Sequence, residues 1–114
     1  MWLFTPEGFV SVVSGEEFGS ELQVRARSEG DLERLRASWF PELGETRTIA
    51  GRDYPFRALC AKEDLAQALA RMARGIDYTN FKDTVAQRHS QKRAKIYSKV
   101  WADCLAIEHE ERAS

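Results

Sequence analysis

The chain has 114 residues, of which 43% are apolar and 31% charged, and its formal net charge is −1. That is enough for a single domain spanning 1–114, with one core that needs neither disulfide nor metal. The near-zero net charge gives no overall pull toward nucleic acid or acidic membranes, and no apolar run is long enough to span a bilayer.

The N-terminal MWLFTPEGF has no basic leader, no long apolar stretch and no small-residue cleavage site, so it does not read as a signal peptide. Trp2–Phe4 and Phe9–Val13 flank Thr5-Pro6-Glu7-Gly8, which is turn chemistry and predicts a β-hairpin. Residues 14–20 read as a loop. Leu22–Ser28 alternates, with Leu22, Val24 and Ala26 on one side and Gln23, Arg25 and Arg27 on the other, as in a half-buried strand. Ser28 followed by Asp31 resembles a capping box, and the helix it opens runs to about Phe40, where Pro41 ends it. Leu32, Leu35 and Trp39 form its apolar stripe.

A short strand is expected around Arg47–Ile49 and a firmer one over Phe56–Cys60. Lys62–Arg74 predicts a helix stopped by Gly75, with Leu65, Leu69, Met72 and Ile76 at helical spacing. A shorter helix follows over Asn80–Arg88, with Phe81 and Val85 inward. The last helix starts near Ser90 and runs to about Glu110, with Tyr97, Val100, Trp101, Cys104 and Leu105 as its apolar stripe. Cys60 and Cys104 then read as two buried thiols of a cytoplasmic protein. The order predicts an α+β fold, an antiparallel sheet of about four to five strands with helices on one face. It is compatible with a ferredoxin-like variant in which the N-terminal hairpin supplies a strand.

Charge is unevenly placed. From Phe81 to Val100 there are six cations (Lys82, Arg88, Lys92, Arg93, Lys95, Lys99) against Asp83 alone, while the rest of the chain is acidic. On the last helix Lys92, Lys95 and Lys99 project opposite the apolar stripe as a basic ridge, and Asp103, Glu108, Glu110 and Glu111 follow. Cations toward a helix N-terminus and anions toward its C-terminus oppose the dipole, at about 0.3–1 kcal/mol each when exposed. Helix stability does not account for this order, and a partner surface formed by Arg88, Lys92, Lys95 and Lys99 does. An ordinary solvated face is the competing reading. For nucleic acid, exposed aromatics beside the cations would be needed, and Tyr97 and Trp101 are expected in the core. Arg25, Arg27 and Arg57 form a second basic cluster if their strands pair, unless acids such as Asp53 neutralise them.

No phosphate loop, nucleophile elbow or zinc-ligand spacing occurs, so no metal and no cofactor are expected. His89 beside Arg88, with Lys92 and Arg93 a turn later, can be drawn as a metal-independent RNase-like site, with the imidazole as base and the cations holding phosphate. Asp53, Tyr54 and Arg57 are a candidate ligand corner, built where Tyr54-Pro55 fixes an extended approach to the strand.

The segments Val24-Arg25-Ala26-Arg27, Asp53-Tyr54-Pro55-Phe56-Arg57 and Ile76-Asp77-Tyr78-Thr79-Asn80-Phe81-Lys82, with Met1-Trp2, Asp31-Leu32 and Val100-Trp101, resemble a family of small bacterial and phage proteins of largely uncharacterised activity. The Asp77–Lys82 portion is the most specific. The resemblance implies a compact stand-alone domain in a prokaryotic cytoplasm and brings no activity, cofactor or catalytic residue. The chain departs from that pattern after Lys82, where its basic run and acidic tail are heavier.

The expectation is therefore a non-enzymatic protein that engages a macromolecule, foremost another protein, through a charged C-terminal helix. In a phage, an inhibitor of a host defence complex fits this class. Nucleic-acid binding by the same ridge and RNase-like chemistry at His89 are the alternatives. Self-association is a further one, because the basic and acidic halves of the last helix complement an antiparallel copy. No membrane partner is expected.

Overall fold

The computed structural model describes residues 1–15, 19 and 21–113. They form two compact units, the first from Met1 to Asp77 and the second from Tyr78 onward.

In the first unit, β1 (Trp2–Thr5), β2 (Gly8–Ser14), β3 (Leu22–Ala26), β4 (Arg47–Thr48) and β5 (Phe56–Cys60) make one antiparallel sheet in the order β1-β2-β3-β5-β4. Of the loop expected over 14–20, residues 16–18 and 20 lie outside the described residues. The order β2-β3-β5-β4 reproduces the neighbour relations of a ferredoxin-like sheet. The N-terminal hairpin supplies the outer strand, and β1 extends it by one. Helices α1 (Glu29–Ser38) and α2 (Lys62–Arg74) contribute to the same core.

Strand periodicity explains that core. Val10, Val12, Val24, Ala26, Ala58 and Cys60 alternate onto one face of the sheet and meet Leu32, Leu35, Leu65 and Ala68 from the helices. Phe40, wholly buried, closes the end of α1. Arg71 ties α2 to the connection after α1. It forms a bidentate pair with Glu42 at 2.8 and 3.0 Å and donates to the Trp39 carbonyl at 3.1 Å. That bond holds the exposed Glu42 carboxyl below its ordinary range.

The capping box does not form. Ser28 is the N-cap of α1, but its side chain makes no capping bond. Asp31 is buried instead, and its carboxylate accepts the Phe9 N–H and pairs with Arg34. Helix α2 matches its expected bounds, yet Ile76 falls beyond it and is exposed. Gly75 ends α2 at φ −84°, so no left-handed turn requires glycine there. A β-carbon at Gly75 would run into the Trp39 ring, and that close approach is what excludes a side chain.

The second unit is helical: α3 (Phe81–Arg88), α4 (Gln91–Cys104) and α5 (Ala106–Ala113). Asn80 caps α3 by accepting the Asp83 N–H at 2.9 Å, and Ser90 caps α4 by accepting the Arg93 N–H at 3.0 Å. The last helix is thus not continuous. It is interrupted at Leu105, where i→i+3 bonds run from Leu105 N–H to Ala102 and from Glu108 N–H to Leu105. Among the described residues no helix is long and apolar enough to cross a membrane.

Candidate interaction surface on the C-terminal helices

α3 packs on the first half of α4. The Phe81 and Tyr97 rings stack nearly parallel with centroids 5.7 Å apart, and Val85 and Tyr97 are buried. Cations lie over the aromatics of this unit: Arg88 over Tyr78 at 5.8 Å, Arg93 over Tyr97 at 5.9 Å and Lys82 over Trp101 at 4.6 Å. Each such contact contributes about 0.5–1 kcal/mol at an exposed site.

Beyond Val100 the apolar stripe is largely exposed, with Lys82 over the Trp101 ring. Trp101 is 58% exposed, Leu105 43% and Ile107 56%, and residues 101–112 are exposed throughout. The expectation that Trp101, Cys104 and Leu105 face a core is therefore corrected. The stripe is real, but α3 spans only about 12 Å at 1.5 Å per residue and α4 runs well past it. Cys104 is an exposed thiol, whereas Cys60 is buried as expected.

The ridge residues Lys92, Lys95 and Lys99 are exposed, as is Arg88. The three lysines have no ion pair or hydrogen bond among the described residues. The break at Leu105 gives α4 and α5 separate helix dipoles. Lys92 and Arg93 still stand in the first turn of α4, with Asp103 near its end. In α5 Glu108 lies in the first turn and Arg112 in the last, as the dipole favours, while Glu110 and Glu111 stand toward its C-terminal end and oppose it. α4 carries the unfavourable arrangement at both its ends.

Comparison with protein-family models, curated proteins and solved structures returns no match. Function rests on the chain's own geometry.

The second basic cluster does assemble. Arg25 and Arg57 are direct cross-strand neighbours. Arg25 and Arg27 each place a guanidinium carbon 4.7 Å from the centroid of the buried Tyr54 ring. Arg25 also donates to Ser11 Oγ at 2.8 Å, Arg27 to the Asp53 carbonyl at 3.0 Å, and Arg57 to the Tyr54 carbonyl at 2.9 Å and to Gln23 Oε1 at 3.2 Å. Asp53 caps the Tyr54 N–H at 2.9 Å and lies 3.8 Å from Arg57. The residues of the candidate ligand corner are thus bonded to one another, and the arginines hold Tyr54 onto the sheet.

His89 sits at the junction of α3 and α4. Its N–H donates to the Val85 carbonyl, and its Nδ1 is 3.3 Å from the Ser90 hydroxyl that caps α4. These are contacts of a helix junction. A groove of about 400 Å³ that residue patterning did not signal runs beside β5. Glu21, Glu42, Glu45, Asp64 and Arg47 line it, with Cys60 at its wall. Among the described residues, no three of His, Cys, Asp and Glu converge as a metal site.

Proposed function

We propose that this chain is a non-enzymatic binding protein that engages another protein through its C-terminal helical unit. One observation carries the reading: the exposed run 101–112 places two large apolar residues, Trp101 and Leu105, a turn apart on one side of the helix. Contiguous uncovered apolar surface marks interaction sites, and a Trp among polar neighbours is the residue type that anchors protein interfaces. The exposed lysines on the same helix supply orientation and association rate rather than raw affinity.

Nucleic-acid binding is the second reading, favoured by the exposed Trp101 ring with Lys82 above it. Stacking and cations in one place are what a single strand needs. Against it, Asp103, Glu108, Glu110 and Glu111 follow directly on the same arm and repel phosphate.

The test is capture from a native lysate on immobilised protein, with and without nuclease, using wild type, a Lys92→Ala/Lys95→Ala/Lys99→Ala variant and a Trp101→Ala/Leu105→Ala variant. Protein capture that survives nuclease, is lost in the Trp101→Ala/Leu105→Ala variant and is slowed and weakened in the lysine variant, with unchanged helicity, is expected. Equal capture by wild type and variants overturns the reading. Capture that nuclease abolishes, and that weakens steeply with salt, transfers it to nucleic acid.

A further inference from the structure

The geometry points to a second copy of this chain as the occupant of the lysine side of α4 and α5, paired antiparallel. This rests on the reading of the C-terminal unit as a binding surface and names what one side of it binds. Six exposed residues, Lys92, Ile96, Lys99, Asp103, Ala106 and Glu110, follow one another at intervals of four, three, four, three and four. That is the heptad spacing of a helix–helix seam. Leu105 stays in the right-handed region (φ −58°, ψ −27°), so the helical sense continues across the interruption.

The order of charges along this seam is self-complementary only when reversed. An antiparallel copy brings Lys92 to the second copy's Glu110, Ile96 to its Ala106 and Lys99 to its Asp103. A parallel copy sets lysine against lysine. Within one chain Lys92, Lys99, Asp103 and Glu110 have no ion pair or hydrogen bond among the described residues. Ile96 and Ile107 are each 56% exposed along the same side and supply apolar area between the charges. Pairing with a second copy also bears on the charge order that opposes the dipole of α4, because Lys92 and Asp103, both placed against it, each gain an opposite charge. The seam extends over about 27 Å of helix at 1.5 Å per residue, long enough for a pair of modest affinity.

The test is sedimentation equilibrium of the full chain at low and high salt, up to a few hundred micromolar. Three samples are compared: wild type, Lys92→Glu/Lys99→Glu, and Asp103→Lys/Glu110→Lys. The wild type is expected to dimerise, about tenfold more weakly in 1 M salt. Each variant alone is expected to be monomeric, because its seam meets like charge, and an equimolar mixture of the two is expected to restore a heterodimer. That rescue shows that both variants are folded. A wild type that stays monomeric, variants that still dimerise alone, or a mixture without heterodimer overturns the pairing. A monomeric wild type that nonetheless captures a different protein through Trp101 overturns the pairing alone and leaves the proposed function standing.

Discussion

The Asp31 carboxylate accepts the Phe9 backbone N–H at 2.9 Å, joining the first turn of α1 to the start of β2 across 22 residues of chain. The same carboxylate pairs with Arg34 at 2.6 Å, and Arg34 Nε donates to the Glu7 carbonyl at 2.8 Å. Gly8 leaves room for this clamp, since a β-carbon there would stand 2.6 Å from the Asp31 carboxyl carbon. Asp31→Ala orphans a part-buried donor and removes the anion beside the partly exposed Arg34, at a cost of about 1–3 kcal/mol. Urea denaturation is expected to show a lower midpoint with unchanged slope. Gly8→Ala is expected to destabilise as well, and the double variant to cost less than the sum because both changes break one clamp.

Gly75→Ala tests a steric reading against a propensity reading. Gly75 has an ordinary helical φ, so alanine would be expected to stabilise by up to about 1 kcal/mol on backbone grounds. The Trp39 ring occupies the space the methyl needs, and the expected outcome is a loss of about 1–3 kcal/mol. Thermal denaturation of Gly75→Ala alone and with Trp39→Leu separates the two. The second substitution is expected to reduce the penalty of the first.

Most of the sheet unit is legible in the residues, because β3 and β5 alternate toward the core and the β1–β2 boundary carries turn chemistry. Leu22, Val24 and Ala26 face the core as their spacing says, and α2 ends where Gly75 stands. What residue patterning misreads is decided at a distance. Asp31 looks like a local cap because Ser28 stands three residues before it, yet its partner is Phe9 in another element. Trp101, Cys104 and Leu105 look like core because they share a stripe with Tyr97. A stripe shows which side of a helix is apolar, not how far along it another helix reaches. The break at Leu105 has neither proline nor glycine to announce it. The candidate surface was therefore half readable: the lysine ridge from spacing, the uncovered apolar end only from packing.

The two thiols are expected to separate cleanly. Burial, with the Asp64 and Glu21 carboxylates adding to it, pushes the Cys60 thiol up to about 11. At pH 8 a thiol reagent is expected to consume Cys104 at once and Cys60 only on unfolding. Linkage fixes the sign of the pH effect. The unfolded Cys60 ionises near 9.0 while the folded one stays neutral, so its contribution to stability is intact below pH 9 and is lost as pH rises toward about 11. Denaturation of wild type and Cys60→Ala between pH 8 and 11 checks this. The alanine variant is less stable at pH 8, with a difference that narrows as pH rises.

Trp101 lies about 160° round the helix from both Lys99 and Asp103 at 100° per residue, so it belongs to the opposite side of α4 from the proposed seam. Its ring carries Lys82 and is otherwise open. Trp101→Ala is thus expected to leave self-association and helicity unchanged and to change stability by no more than about 1 kcal/mol, the value of the exposed cation–π contact. Capture of a heterologous partner should fall by about thirtyfold, as for the loss of a tryptophan anchor of roughly 2 kcal/mol. A Trp101→Ala variant that loses capture and self-association together would place both activities on one face, contrary to the separation the helix geometry gives.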